Sequence, residues 1–158
     1  MRPSIAALDR HAGGVGGSPG RMSVCVTQVR LRYKDTDTMG VVYYGNYLTY
    51  FEVGRVEYLR QHDLPMSRLN EQLHLPVAEA VVKYVKPARL DELLAVRCWV
   101  SQKRRVSFQF AYDIRNEAGD LVATGHTLHA CWDPATGRMI PIPEWLQAVI
   151  TVYNSSVR

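Results

Sequence analysis

Cysteine is scarce in this chain: Cys25, Cys98 and Cys131 are the only three among 158 residues. An odd number without Cys-x-x-Cys spacing argues against a disulfide framework and against a structural zinc site, and no metal is expected. Cys98 falls within an apolar alternation, the setting of a small core residue. Long hydrophobic runs are missing as well. No stretch reaches the ~18 apolar residues of a membrane-spanning helix, and no apolar core of signal-peptide length stands near the start. The expected compartment is therefore a reducing cytoplasm, and the chain is not expected to span a membrane. Internal repeats are absent, which excludes solenoids and propellers. A large excess of one charge is absent too: 19 basic residues face 15 acidic ones, a formal +4. With 47% hydrophobic and 22% charged residues, disordered, collagenous and coiled-coil classes are excluded. What remains is one ordinary domain, long enough to bury a core.

Even the small positive excess is unevenly spread. Before Met22 stand Arg2, Arg10 and Arg21 against Asp9, together with Gly13, Gly14, Gly16, Gly17 and Gly20. So few apolar residues cannot offset the entropy of ordering, and residues 1–22 read as a flexible N-terminal arm preceding a single domain, residues 23–158. Met22 is itself a candidate initiator. From Met22 onward 16 basic residues face 14 acidic ones, so bulk charge does not point to nucleic acid.

Along the domain the hydrophobic period changes twice. Val29, Leu31 and Tyr33 alternate with Arg30 and Arg32, which predicts a strand from Val24 to Tyr33. From about Tyr44 to His62 the period becomes helical, with Tyr47, Leu48, Phe51, Tyr58 and Leu59 on one broad arc. Met66 to Leu73 reads as a short helix. After Pro76 the texture is β: Val77 to Val85, then Leu94 to Ser101, then Val106 to Arg115, the cleanest alternation in the chain. A hairpin loop at Asn116–Asp120 leads into a strand from Leu121 to Trp132. Arg138 to Ile140 predicts a short strand, and Glu144 to Val152 a terminal helix after Pro143. One long helix with a broad apolar face among antiparallel strands predicts an α+β fold, the sheet curled around that helix.

The least ordinary stretch is Asp35-Thr36-Asp37-Thr38-Met39-Gly40-Val41-Val42-Tyr43-Tyr44-Gly45-Asn46-Tyr47. It places two carboxylates just before the long helix. A helix start offers unpaired N–H groups and partial positive charge, a setting that can hold a developing oxyanion. A carboxylate beside it can serve as nucleophile or general base. Gly40 and Gly45 allow close approach of a ligand to the backbone. The plain structural alternative is that Asp35 or Asp37 caps the turn or the helix.

This string, followed by Phe51-Glu52, Arg55 and Glu57-Tyr58-Leu59-Arg60, resembles the signature of the 4-hydroxybenzoyl-CoA thioesterase family of hotdog folds. Within it the sequence is most similar to the bacterial acyl-CoA thioesterase branch associated with the Tol–Pal system, over roughly residues 26–149. The resemblance implies a hotdog fold and hydrolysis of acyl-CoA, with CoA as part of the substrate and no cofactor. It makes Asp37, the second aspartate of Asp-x-Asp, the catalytic carboxylate. The backbone N–H of Tyr44, at a position where many relatives carry histidine, polarises the thioester carbonyl beside Gly45; since that role uses the backbone, tyrosine is expected to be tolerated. Asp35 becomes the structural aspartate, and Asn46 shapes the helix start. Arg104 and Arg105, in Lys103-Arg104-Arg105-Val106-Ser107-Phe108, match the segment that meets the phosphates of CoA, with Val106 where the family has a further basic residue. Paired arginines suit phosphate recognition, although a charged, solvated turn has the same composition. The resemblance further implies a homodimer or homotetramer with sites between subunits.

Several other residues carry weaker signals. Glu52 is a second candidate carboxylate, since another hotdog subgroup places its glutamate along the helix; pairing with Arg55 at i, i+3 is the simpler reading. His126 and His129 lie three apart in a strand, hence on opposite faces, and do not make a metal pair. Lys83 and Lys86 are further candidates for phosphate, and Trp99 and Trp132 read as packing residues. The alternatives to hydrolysis are a non-catalytic acyl-CoA-binding or scaffold protein and a dehydratase. The latter would require a histidine near the helix start.

Overall fold

The computed structural model of the protein describes residues 23–154; the expected arm, residues 1–22, lies outside the described residues. Five strands form one antiparallel sheet: β1 (Val24–Arg30), β2 (Val77–Tyr84), β3 (Leu93–Lys103), β4 (Ser107–Arg115) and β5 (Leu121–Ala130), in the order β1-β3-β4-β5-β2. The long helix α1 (Asn46–Gln61) lies across one face. The short helices α2 (Met66–Leu69) and α3 (Glu144–Gln147) and a two-stranded ribbon, β6 (Trp132–Asp133) with β7 (Arg138–Met139), complete the chain.

Alternation in β4 decides which face meets the helix. Phe108, Phe110, Tyr112 and Ile114 are buried, while Gln109, Ala111 and Arg115 turn to the outer face. From α1 the ring of Phe51 stacks on Tyr112 (4.2 Å between centroids, 4° between planes), and Tyr58 meets Phe110 edge-on at 5.4 Å. Burying each such side chain stabilises the fold by about 1.5–3 kcal/mol, and the aromatic geometry adds about 0.5–1.5 kcal/mol. Gly125 in β5 makes room for Phe51: a Cβ there would stand 2.6 Å from the ring and 2.1 Å from the carbonyl oxygen of Val81 in β2.

Among the described residues the outer face holds one buried charge. Asp113 accepts a 2.7 Å hydrogen bond from Arg97, whose guanidinium also lies over the ring of Trp99. Burial pushes the Asp113 carboxyl up, against the pull of Arg97 and Arg115. Trp99 is buried as expected, whereas Trp132 is more than one-third exposed.

Local departures from the expected elements have physical causes. β1 stops at Arg30, and Tyr33–Asp35 form a single 3-10 turn, because the Asp35 carboxylate takes the backbone N–H and the guanidinium of Arg32. Leu48 is exposed; the buried arc of α1 runs through Tyr47, Tyr50, Phe51, Gly54, Tyr58 and Leu59. The helix expected over Met66–Leu73 ends at Leu69. The β5 strand ends at Ala130, with Trp132 passing into the separate ribbon. The terminal helix is a single turn, after which Val152 pairs in parallel with Val100, prolonging the sheet where β1 runs out.

Strand order among the described residues leaves β2 at an edge, paired there only with β5 and largely exposed. Its far side offers an unpaired row of backbone donors and acceptors. No helix among the described residues is long and apolar enough to cross a membrane.

Candidate active site

Residues 35–46 fold as a small hairpin that delivers the chain into α1. The Tyr43 N–H donates to the Asp35 carbonyl (2.9 Å), the Asp37 N–H to the Val41 carbonyl (2.8 Å), and Thr36 bridges Val42. Gly40 turns the tip with φ +75°, a left-handed conformation that costs a β-carbon residue about 1–2 kcal/mol. The hairpin is docked on the segment just before β3: the Val42 N–H donates to the Ala88 carbonyl (2.9 Å), and Val41 bridges Arg89.

The two aspartates divide the labour. Asp35 is 5% exposed. Its carboxylate accepts from the Arg32 N–H and guanidinium, while its carbonyl also accepts from the Asn46 side-chain amide at 2.8 Å. Burial opposes its ionisation, but the Arg32 hydrogen bonds and charge prevail and hold the carboxyl below its ordinary range. Asp35 is thus the brace of the hairpin, and Asn46 ties the helix start to it. Asp37 is half-buried at the tip. Its Oδ1 accepts from the Met39 N–H (2.8 Å) and the Val41 N–H (3.4 Å), and no described residue bonds Oδ2. One oxygen therefore fixes the side chain and the other is open.

At the other arm of the hairpin the chain enters α1 through Gly45, which already has helical φ and ψ (−67°, −23°). The N–H groups of Tyr44 and Gly45 find no acceptor among the described residues, as the first amides of a helix do not. Around them stand four tyrosines: Tyr43 and Tyr44, with ring centroids 4.5 Å apart, and Tyr47 and Tyr84, edge-on at 5.3 Å. Tyr47 is buried; the other three are exposed. Tyr84, at the end of β2, was not singled out from sequence, although the alternation in its strand places it on the helix-bearing face. Its hydroxyl donates to the Tyr44 carbonyl at 2.9 Å.

Asp37, Tyr44 and Gly45 are thus carried on one hairpin and the helix start it leads into. Arg104 and Arg105 are not. They sit in the turn after β3, whereas the hairpin docks just before it, and the eleven residues of β3 set the two apart by roughly 30 Å. Both guanidinium groups are exposed, and neither meets an acidic partner among the described residues. Lys86 is engaged with Asp120 at 2.7 Å. Glu52 is exposed on α1, 4.0 Å from Arg55. His126 faces Glu79 on the outer side of the sheet. His129 is buried on the inner side, between the Thr127 hydroxyl (2.7 Å) and the Leu75 carbonyl (3.0 Å). Burial foremost, opposed by the Leu75 carbonyl and aided by Arg55, brings the His129 imidazole down to about 4. An apolar cavity of about 630 Å³, lined by Met66, Leu75, Trp132 and Met139, opens beside the start of β2. No group of three or more potential metal ligands occurs among the described residues.

A fixed carboxylate with one open oxygen beside bare helix-start amides can attack a carbonyl, or activate water toward it, while the amides receive the oxyanion. With its antiparallel sheet packed on one long helix, the molecule is an α+β hotdog. A family profile described as the thioesterase-like superfamily matches residues 31–150. The acyl-CoA thioester hydrolase YbgC of Escherichia coli is 33% identical over 121 residues, spanning 76% of this chain and 90% of its own. The 1,4-dihydroxy-2-naphthoyl-CoA hydrolase of Thermosynechococcus vestitus is 31% identical over 123 residues, spanning 77% and 84%. The crystal structure of the DHNA-CoA thioesterase of Staphylococcus aureus aligns with a TM-score of 0.74 at 33% identity, over 80% of this chain and 89% of that one. The chain belongs to the thioesterase-like superfamily, and it is a thioester hydrolase.

Proposed function

We propose that the enzyme hydrolyses acyl-CoA thioesters to the free acid and CoA, with Asp37 as the reacting carboxylate. The observation that carries this is the single hairpin holding Asp37 with one oxygen open and leading to the unbonded amides of Tyr44 and Gly45. The thioester oxygen is received by these amides. Asp37 Oδ2 either bonds the carbonyl carbon or takes a proton from the water that does. The C–S bond then breaks, and its electron pair leaves on the CoA thiolate; on the covalent path water then hydrolyses the Asp37 acyl anhydride, releasing the acid and restoring the carboxylate. No metal or cofactor is required for this sequence, and three buried cysteines that form no disulfide suit a reducing cytoplasm.

β3, roughly 30 Å long, lies between the segment on which the Asp37 hairpin docks and the arginine pair, which favours a site that draws on two copies. Antiparallel pairing of two β2 edges about a two-fold brings the Val77 end of one copy beside the Tyr84 end of the other. Arg104 and Arg105 of a second copy then approach Asp37 of the first, as a homodimer with two composite sites or as a tetramer of two such pairs. Thiol release measured on a panel of aliphatic and aromatic acyl-CoAs tests the reaction: turnover of at least one class is expected, and silence across the panel refutes it. Light scattering tests the assembly, where a mass of 17.9 kDa would contradict it.

A further inference from the structure

We infer that Tyr84 is a positioning residue for the oxyanion site, acting through the peptide that joins Tyr44 to Gly45. The inference rests on the thioesterase reading above. Its hydroxyl reaches across forty residues of sequence to donate to the Tyr44 carbonyl at 2.9 Å. In a trans peptide the C=O and the following N–H point in opposite directions within one plane. A donor held against the Tyr44 oxygen therefore fixes the direction of the Gly45 N–H, one of the two amides without an acceptor. The same bond polarises the peptide and makes that N–H a stronger donor.

The surroundings are built for this aim. The Tyr84 ring is held edge-on against buried Tyr47, 5.3 Å away at 74°, so the hydroxyl is delivered from a fixed ring. On the other side the Tyr43 ring closes over Gly45, and a Cβ there would stand 3.0 Å from it. Glycine at this position is a matter of clearance, since its φ and ψ are ordinary helical values. The strand that supplies Tyr84 is also the exposed sheet edge, so the oxyanion amides and the edge strand are linked by one hydrogen bond.

Tyr84→Phe removes the hydroxyl and keeps the ring on Tyr47. The expected result is a fall in kcat of about ten-fold, a fraction of the loss on deleting an oxyanion donor outright. KM should stay within two-fold, the melting temperature should not change, and the backbone amide resonance of Gly45 should shift in the ligand-free protein. Tyr84 is overturned as a positioning residue if the variant keeps wild-type kcat, if the Gly45 resonance does not move, or if kcat and melting temperature fall together. Wild-type protein inactive across the acyl-CoA panel would overturn the thioesterase reading and this inference with it. An active wild type with an equally active variant sinks only the role of Tyr84.

Discussion

Replacing Asp37 by asparagine separates chemistry from architecture at the centre of the site. The Asn carbonyl oxygen can take over the bonds that Oδ1 now accepts from the Met39 and Val41 amides, so the hairpin keeps its lock. The loss in stability should therefore stay below about 1 kcal/mol, the net value of one ordinary hydrogen bond. What disappears is the open Oδ2. An amide nitrogen can neither take a proton from water nor bond the acyl carbon. Positioned proton transfer contributes about 10²–10⁴-fold to rate, which at 1.36 kcal/mol per decade is roughly 3–5 kcal/mol of barrier. Steady-state thiol release should show kcat lower by at least a hundred-fold with KM little changed, and thermal melting should superimpose on wild type. Asp35→Asn should do the reverse, loosening the hairpin through the lost Arg32 pairing. Glu52→Gln, on an exposed part of α1, should leave turnover intact. An Asp37→Asn enzyme within ten-fold of wild-type kcat would refute the assignment. A collapse in melting temperature would instead make Asp37 a turn residue and nothing more.

Further outcomes follow from the same geometry. Arg104→Ala with Arg105→Ala should raise KM for CoA thioesters about ten-fold and steepen no salt dependence. Turnover of an N-acetylcysteamine thioester, which lacks the phosphates, should stay unchanged, and equal effects on both substrates would contradict a phosphate role. Gly125→Ala should cost about 3 kcal/mol or more, because its Cβ would stand 2.1 Å from the Val81 carbonyl and 2.6 Å from the Phe51 ring. A urea titration with an unchanged midpoint would dispose of that packing argument. His129 has an ordinary value of 6.5 and a folded value of about 4, so the unfolded chain binds the extra proton between them. Stability therefore falls by about 3 kcal/mol as pH drops from 6.5 to 4 and is retained above 6.5. Imidazole NMR should find His129 neutral down to about pH 4; protonation near pH 6.5 would contradict its burial.

Much of the fold was legible because the periods are strong where burial is one-sided. The alternation of Phe108, Phe110, Tyr112 and Ile114 is the pattern of a strand with one face under a helix, and it lies there. Pro87, just past the run that ends near Val85, suits either the end of a strand or an edge strand, and β2 stops at Tyr84 on the edge of the sheet. Ends of elements were less legible because long-range pairing decides them. Nothing local in Glu144–Val152 says that Val152 will join Val100, and the apolar residues that suggest a helix instead pin an extended segment. Leu48 has the helical spacing of a core residue but faces outward, since α1 lies mainly over β1 and β3.

The candidate site was legible in its residue types and not in their placement. Asp35 and Asp37 are the same residue type two positions apart. Composition cannot tell a buried brace from an open carboxylate; the hairpin does, by burying one against Arg32 and leaving an oxygen of the other bare. Tyr84 carries no motif, and only the register that sets the end of β2 beside the helix start reveals it. Arg104 and Arg105 have the right chemistry for phosphate but lie at the wrong end of the same sheet. That mismatch is itself informative: a substrate with its reactive carbonyl at one end and its phosphates at the other fits this fold once two copies are joined antiparallel at an edge. The exposed edge strand is thus as much a part of the proposed active site as the aspartate.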